Sequence, residues 1–165
     1  MIRLIAAVDR ELGIAKGGIM PWKIPDDEQY FTNQTKSHGG YVLSGRVTFE
    51  QAYKGRPLVD RHNFILSRSA RAITDAEVIN DLEAFLSNFS KDLWVAGGAE
   101  VFAAVIKLNK ADELYLTHID ALFGCDRFFP AYSQSFEQIE KSELKQQNGF
   151  NFYYGHYLKK NLSGI

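Results

Sequence analysis

Short apolar segments alternate with helical patterns over the first two thirds of the chain, and this rhythm restricts the possible folds more than any other feature. The apolar runs predict buried strands at 2–9, 41–44, 63–66 and 93–96, with a weaker strand at 76–79. The helical patterns cover 26–36, 46–53, the segment after Asp81 and the segment after Gly98. Strands linked by helices form largely parallel sheets covered on both faces, so the rhythm predicts an α/β fold.

The last third of the chain follows a different pattern. Residues 113–119 (ELYLTHI) predict a long strand, and 136–144 and 150–159 predict two antiparallel strands joined by a turn at 147–149. We expect this hairpin to add an antiparallel edge to the sheet. With 165 residues and no repeat or linker, the sequence predicts a single domain over 1–165.

Composition argues against several functional classes. The net charge of −1 provides no field that would attract nucleic acid or an acidic membrane, and no apolar run approaches the roughly 20 residues of a membrane span. Cys125 is the single cysteine, which rules out an internal disulfide and fits a reducing compartment. The four histidines show no metal-ligand spacing. We therefore expect a cytoplasmic protein that binds no metal, membrane or nucleic acid.

One acid stands out near the start of the chain. Three acids open the helix predicted after Pro25, and the middle one, Asp27, shares a face with Tyr30 and Phe31. All three acids could simply stabilise the helix by interacting with the positive end of its dipole, and this explanation suits Asp26 well. It suits Asp27 less, because burying a carboxylate costs several kcal/mol unless something pairs with it. We interpret Asp27 as a site carboxylate for a cationic or amide-like ligand.

Glycine joins a strand directly to a helix at two places, VLSGRVTFE (42–50) and WVAGGAEVF (94–102), and a third strand ends in Ser67-Arg68. Glycine lets a ligand approach the backbone, and helix starts and guanidinium groups bind phosphate. Each site alone could be a tight turn with a surface arginine, but three on neighbouring strands favour a phosphate-bearing nucleotide. The GxGxxG and P-loop motifs are missing, and no lysine is placed for a γ-phosphate. A nucleotide beside one buried acid fits cofactor redox chemistry best.

Over nearly its whole length the chain resembles the dihydrofolate reductase family. The shared motifs, in the family's order, are LIAAVD (4–9), a GIxxxGxMPW-type stretch (13–22), xPDDxxYF (24–31), GRxTFE (45–50), GRPLxxR (55–61), LSR (66–68), VAGGAEVF (95–102), LYLTHID (114–120) and DRFFP (126–130). Each motif is weak alone, but the ordered set is highly specific. The resemblance implies an eight-stranded, mostly parallel mixed sheet. It also implies reduction of 7,8-dihydrofolate by NADPH, with hydride transfer to C6 and protonation at N5.

The resemblance assigns roles in substrate binding. Asp27 would hold the pterin and promote protonation at N5, Thr117 would hydrogen-bond to Asp27, and Trp22 would order a water molecule. Arg61, by itself an ordinary solvated loop arginine, would pair with the α-carboxylate of the glutamate tail. The remaining implied substrate contacts are Ile5, Ala6, Ala7, Glu28, Phe31, Leu58 and Ala96.

The resemblance likewise implies a cofactor site. Arg46, Ser67 and Arg68 would recognise the 2′-phosphate, and Gly97 and Gly98 would form a cis pair beside the pyrophosphate. Residues 14–20 would form a lid over the nicotinamide, which Asp126 would steady. The full set implied for NADPH is Ala7, Ile14, Ile19, Met20, Gly45, Arg46, Val47, Thr48, Leu66, Ser67, Arg68, Ala96, Gly97, Gly98, Ala99, Glu100, Val101 and Phe102.

Some positions depart from the family pattern. Glu28 occupies a usually apolar position and would either turn outward or weaken folate binding, Ala96 enlarges the pterin pocket, and Glu100 replaces a residue that can be basic. Two rival readings stay open: a same-fold reductase of riboflavin synthesis, against which the set Trp22, Asp27, Arg61 and Thr117 argues, and a non-catalytic nucleotide- or folate-binding module. The expected partners are dihydrofolate and antifolate-type small molecules, and the family is commonly monomeric.

Overall fold

The computed structural model describes residues 1–69 and 71–161. Residue 70 and residues 162–165, which the single-domain prediction includes, lie outside the described residues. The strands are β1 Ile2–Val8, β2 Gly13–Ala15, β3 Tyr41–Gly45, β4 His62–Leu66, β5 Ala76–Ile79, β6 Leu93–Val95, β7 Glu113–Ile119, β8 Arg127–Phe128, β9 Phe136–Lys141, β10 Lys145–Gln147 and β11 Phe150–Lys159. The helices are α1 Pro25–Lys36, α2 Arg46–Gln51, α3 Leu82–Asn88 and α4 Ala99–Lys107.

The main sheet has nine strands within the described residues: eight follow the order β10-β11-β7-β1-β6-β3-β4-β5, and β9 pairs with β11 on the same edge as β10. The pairs from β7 through β1, β6, β3 and β4 to β5 are parallel, whereas β11 runs antiparallel to β7. The α/β fold with a mostly parallel mixed sheet and an antiparallel C-terminal edge is therefore confirmed. None of the helices in the described part of the chain is long and apolar enough to cross a membrane.

Alternate residues of the central strands pack into two different cores, which explains why helices cover both faces. Leu4 of β1 and Val95 of β6 belong to the cluster that includes α3 and α4. Their neighbours Ile5 and Trp94 point to the other face and pack with aromatic side chains of α1. Because successive side chains of a strand point to opposite faces, these near-continuous apolar runs are what a fully covered parallel sheet needs.

The C-terminal hairpin differs from its sequence prediction. The expected strand 136–144 ends early, as β9 at Lys141, and after a break a separate strand, β10, covers 145–147. The two pair with different stretches of the same edge of β11. At the break, the Tyr154 N–H donates to the Ser142 hydroxyl instead of to a backbone carbonyl, at 2.8 Å. The predicted turn joins β10 to β11, and Asn148 and Gly149 both have positive φ, as tight hairpin turns require.

The predicted loop 10–25 also contains a strand that the sequence pattern did not show. Within it, β2 pairs with β8 in a small second sheet, and Gly13 is the partner of Phe128. Such a pairing depends on residues more than 100 positions away, so no local periodicity announces it.

Candidate active site

A cleft of about 1420 Å³ opens at the carboxyl ends of the central parallel strands, where ligands bind in open α/β sheets. Residues 5–7 of β1 form its floor, α1 and α2 contribute walls, and the 14–20 loop covers one side. All the residues predicted for substrate and cofactor line this cleft except Ile19 and Trp22. The structure thus brings together residues from all nine shared motifs.

Asp27 is buried at the first turn of α1, with 9% of its surface exposed. The hydroxyl of Thr117, on β7, donates a hydrogen bond to Oδ1 of Asp27 at 2.6 Å. Burial raises the pKa of Asp27 to about 6; the Thr117 hydrogen bond opposes this rise, and the negative charge of Glu28 adds to it. Within 1–69 and 71–161, Asp27 forms no ion pair with a basic side chain. Its charge is therefore available to a ligand.

Two tyrosines close the region beside Asp27. The rings of Tyr30 and Tyr154 stack with centroids 3.9 Å apart and planes inclined by 17°. Burial raises the pKa of Tyr154 to about 12 and also raises that of Tyr30, and the charge of Asp27 contributes to both shifts. Both phenols stay neutral at physiological pH. Asp27 is thus the acid of this group that can exchange a proton near neutrality.

Trp22 lies behind the cleft, not in its wall. It is buried against Ile24, Ile119 and Phe152, and its ring packs on Phe123 at 5.0 Å. Its indole Nε1 is buried and makes no hydrogen bond within the described residues. A buried donor requires a polar partner, and an ordered water commonly serves that purpose. The position fits the water-ordering role that the resemblance implies.

Two side chains at the cleft mouth are held by neighbouring residues. Lys23 Nζ donates to both carboxylate oxygens of Glu28, at 2.7 and 3.0 Å. Arg61 donates from Nη1 to the Thr35 hydroxyl and from Nε to the Val59 carbonyl, both at 2.9 Å. Burial lowers the pKa of Arg61 from its ordinary value, but the guanidinium stays charged. These two hydrogen bonds fix the orientation of the guanidinium, and its remaining N–H groups can still donate to an anionic ligand.

The opposite end of the cleft carries cations and hydroxyls. Arg46 begins α2 and Arg68 follows β4, and both are exposed toward the cleft. Arg46 contacts Glu50 at 3.5 Å, an exposed pair that a phosphate can replace. Ser67 is buried, and its hydroxyl shares a hydrogen bond of 2.9 Å with the hydroxyl of Ser69. This is the donor set expected around a phosphate group.

Backbone geometry at the 97–98 turn requires glycine. The peptide bond between Gly97 and Gly98 is cis, as the resemblance implied, and Gly97 has φ of +122°. A Cβ on Gly98 would lie 2.9 Å from the Thr48 hydroxyl, and one on Gly45 would lie 2.9 Å from Val101. The backbone therefore approaches α2 closely here, next to the start of α4, and forms a narrow polar cradle in the cleft wall.

The 14–20 loop touches both sides of the cleft. The Gly17 N–H donates to Oδ2 of Asp126 at 3.0 Å, the contact expected for a steadied lid. On the other side, a Cβ at Gly18 would overlap the side-chain amide of Gln51 from α2. Ile19 and Met20 are exposed at the loop tip, with 62% and 49% of their surface accessible.

Cys125 lies at the base of this loop. A Cβ on Gly13 would come within 2.5 Å of the Cys125 Cβ and 2.7 Å of its sulfur, so the two residues are in tight contact. Burial, together with the charges of Asp9 and Asp126, raises the pKa of the Cys125 thiol to about 11. The thiol is therefore protonated and a weak nucleophile at neutral pH.

Several lining residues escaped the sequence analysis, among them Tyr30, Gln51, Tyr53, Ser69 and Arg127. Tyr30 was identified as sharing a face with Asp27, which was signal enough to include it. Arg127 belongs to the DRFFP motif and was equally accessible to that reasoning. Gln51, Tyr53 and Ser69 carry no local signal, because only the packing of α2 and the β4 end turns them toward the cleft.

Fold and site together define an α/β nucleotide-binding protein with one buried acid, which is the arrangement of a cofactor-dependent reductase. The family model described as "Dihydrofolate reductase" matches residues 1–159. This chain belongs to the dihydrofolate reductase family. The motif-based recognition is thereby confirmed.

Individual relatives cover nearly the whole chain. Dihydrofolate reductase of Bacillus subtilis is 32% identical over 169 residues, which is 99% of this chain and 97% of that protein. Dihydrofolate reductase type 3 of Salmonella typhimurium is 36% identical over 146 residues, or 86% of each chain. The structure of Enterococcus faecalis dihydrofolate reductase in complex with NADP(H) and RAB-propyl superposes with a TM-score of 0.87 and 26% identity, covering 98% of this chain and 97% of that one.

Proposed function

We propose that this protein reduces 7,8-dihydrofolate to 5,6,7,8-tetrahydrofolate with NADPH. The observation that carries the proposal is the buried, hydrogen-bonded Asp27–Thr117 pair in a cleft whose other half carries arginines and hydroxyls suited to phosphate. The family match over residues 1–159 supports the reaction, and the similar Enterococcus faecalis reductase binds NADP(H). The same evidence supports a role in tetrahydrofolate metabolism.

The cleft fits NADPH on the chemistry of its residues. Arg46, Ser67 and Arg68 present charges and a hydroxyl suited to the 2′-phosphate, and Thr48 faces the 97–98 turn where the pyrophosphate would lie. When bound, NADPH supplies hydride from C4 of its nicotinamide. The chain's own contribution would be to hold the two rings at the near-attack separation of about 3–3.5 Å, in the space that the small side chains of Ala6 and Ala7 leave in the cleft.

Asp27 serves the substrate in two ways. Its carboxylate is suited to accept hydrogen bonds from pterin N3 and the 2-amino group, because within the described residues it receives one side-chain hydrogen bond and no cation. With a pKa of about 6, it favours a proton near N5, delivered through a water that Trp22 orders. General acid assistance of this kind accelerates reactions by about 10²–10⁴-fold.

The cleft mouth accommodates the rest of the substrate. Phe31 and Leu58 would pack on the p-aminobenzoyl ring, and Arg61, held by Thr35, would bind the α-carboxylate. Glu28 turns toward Lys23, which supports the milder of its two expected effects on folate binding. The 14–20 loop, tied to Asp126, would exclude water during hydride transfer. The same pocket would accept antifolate-type molecules.

The same reasoning extends to the domain organisation, oligomeric state and location of the protein. We propose a single-domain, monomeric and cytoplasmic enzyme without nucleic-acid or membrane partners. The net charge of −1 and the single cysteine support this view. Size-exclusion chromatography with light scattering would test it, since a monomer has a mass of 18.7 kDa.

The deciding experiment follows absorbance at 340 nm with purified protein, NADPH and dihydrofolate, and with each component omitted in turn. We expect loss of signal only in the complete mixture. No loss, despite NADPH binding detected by fluorescence, would overturn the proposal. A parallel assay with a ribosylaminopyrimidine would then separate a riboflavin-type reductase from a binding module.

A further inference from the structure

We propose that the Glu28–Lys23 ion pair regulates the charge of Asp27: the Glu28 carboxylate favours protonation of Asp27, and the Lys23 ammonium limits that influence. Glu28 and Lys23 are thus positioning residues that act through Asp27. The catalytic consequence rests on the proposed function, whereas the electrostatic coupling itself does not.

The geometry places a second carboxylate beside the buried one. Glu28 follows Asp27 directly in the first turn of α1, and both side chains line the same cleft. The Asp27 side chain is buried and shielded from water, so a neighbouring charge is less screened there than on an open surface. Like charges in one site disfavour simultaneous ionisation.

Lys23 is placed to compensate Glu28 and not Asp27. It lies just before α1, and its ammonium contacts both Glu28 oxygens, at 2.7 and 3.0 Å. Its side chain is 71% exposed and that of Glu28 is 46% exposed, so the pair itself adds little stability. Because this ion pair contributes little to folding and lies at the rim of the cleft, it is well placed to adjust the charge of Asp27.

The other groups around Asp27 do not compete with this effect. From β7 it meets the Thr117 hydroxyl, and from its own helix and β11 it faces Tyr30 and Tyr154, whose phenols stay neutral at physiological pH. Asp26 is exposed to solvent on the adjacent position. Burial and the Glu28 charge both raise the pKa of Asp27, which agrees with the geometric inference.

The test measures the Asp27 carboxyl directly by ¹³C NMR titration of ligand-free protein, with the resonance assigned by its loss in Asp27→Asn. We expect Glu28→Gln to lower the titration midpoint by about 0.3–1 pH unit, and Lys23→Gln to raise it by a similar amount. The matched control is Lys36→Gln, which removes another exposed ion pair from the same helix, with Asp60, and should leave the midpoint unchanged.

The pH profile of dihydrofolate reduction provides the second readout. Its midpoint should move with the NMR midpoint in both variants, since a purely structural role for the pair would change rates without moving the profile. Unchanged midpoints in both variants, or shifts in the same direction, would overturn the inference. NMR shifts in the expected directions without any reductase activity would uphold the coupling and count against the proposed function alone.

Discussion

Two carboxylates are buried at opposite ends of the same strands, and they are treated in opposite ways. Glu113 begins β7 and accepts hydrogen bonds from Arg3 Nε and the Tyr115 hydroxyl, both at 3.1 Å, with His156 Nε2 at 3.2 Å. Asp27 meets the same strand four residues further along, through the Thr117 hydroxyl alone. The two acids are buried to a similar degree, with 8% and 9% of their surface exposed.

The two carboxylates differ in whether a cationic side chain of the protein neutralises them, and not in how deeply they are buried. At the Glu113 end, burial alone would lower the pKa of Arg3, but its hydrogen bond to Asp92 and the attraction of Glu113 outweigh this and raise it. Those charges are fixed by the protein and contribute to structure. At the Asp27 end, the described residues offer no cation, and burial brings its pKa to about 6. A buried acid that lines the cleft without a protein cation is available to a ligand.

The largest expected effect follows from a substitution that prevents Asp27 from carrying a charge. Asp27→Asn should reduce dihydrofolate reduction at pH 7 by about 10²–10⁴-fold, because the proton source near N5 is lost. NADPH affinity should stay nearly intact, since the proposed phosphate contacts Arg46, Ser67 and Arg68 are unchanged, and activity should recover in part at low pH. Stopped-flow rates and NADPH fluorescence titration measure the two effects. Full activity at pH 7 would refute the role given to Asp27.

Loss of the Arg3–Glu113 pair should lower the stability of the protein and leave the reaction itself largely unaffected. Arg3→Met leaves Glu113 buried without its guanidinium partner, which should cost about 3–5 kcal/mol of unfolding free energy. Urea denaturation followed by circular dichroism measures this loss. The matched control is Arg10→Met, which breaks an exposed ion pair with Asp120 at 2.6 Å and should change stability little. Equal losses in both variants would contradict the weight assigned to burial of the ion pair.

Ionisation of Asp27 should lower the stability of the protein as pH rises. A carboxyl whose pKa is 3.8 when unfolded and about 6 when folded contributes its full stability below pH 3.8 and loses it as pH rises through 6. The advantage of Asp27→Asn over the unchanged protein should therefore grow between pH 4 and pH 7.5, by up to about 3 kcal/mol. Urea midpoints across this range test the sign. An advantage that shrinks with pH contradicts the uncompensated state of Asp27.

The smallest expected effect concerns a cation that awaits a ligand. Arg46→Ala should weaken NADPH binding by about 10–100-fold and NADH binding much less, because only NADPH carries the 2′-phosphate. Its exposed contact with Glu50 should make the stability change minor. Paired affinity measurements with both cofactors provide the readout, with Arg10→Met as the control for lost positive charge. Equal losses for the two cofactors would place the 2′-phosphate elsewhere.

Some regions of the structure could be predicted from the sequence and others could not. The parallel sheet followed from local apolar runs, since strands such as β1 and β3 are covered on both faces and need no distant information. The β2–β8 pair and the break at Ser142 depend on contacts that no local pattern records. For the site, burial logic alone singled out Asp27. Thr117 lies 90 residues away from it and became visible through the family's motif order.

The tight contact between Cys125 and Gly13 gives the molecule a built-in reporter. The sequence holds a single cysteine, so a thiol reagent labels one position without any engineering. That thiol lies partly exposed at the base of the 14–20 loop, protonated and packed against the Gly13 backbone. Because this packing restricts the thiol, its alkylation should speed up when the base opens, and the labelling rate should report on movement of the cleft cover. Ligands that hold the cover down would register as slower labelling, read by intact-mass spectrometry.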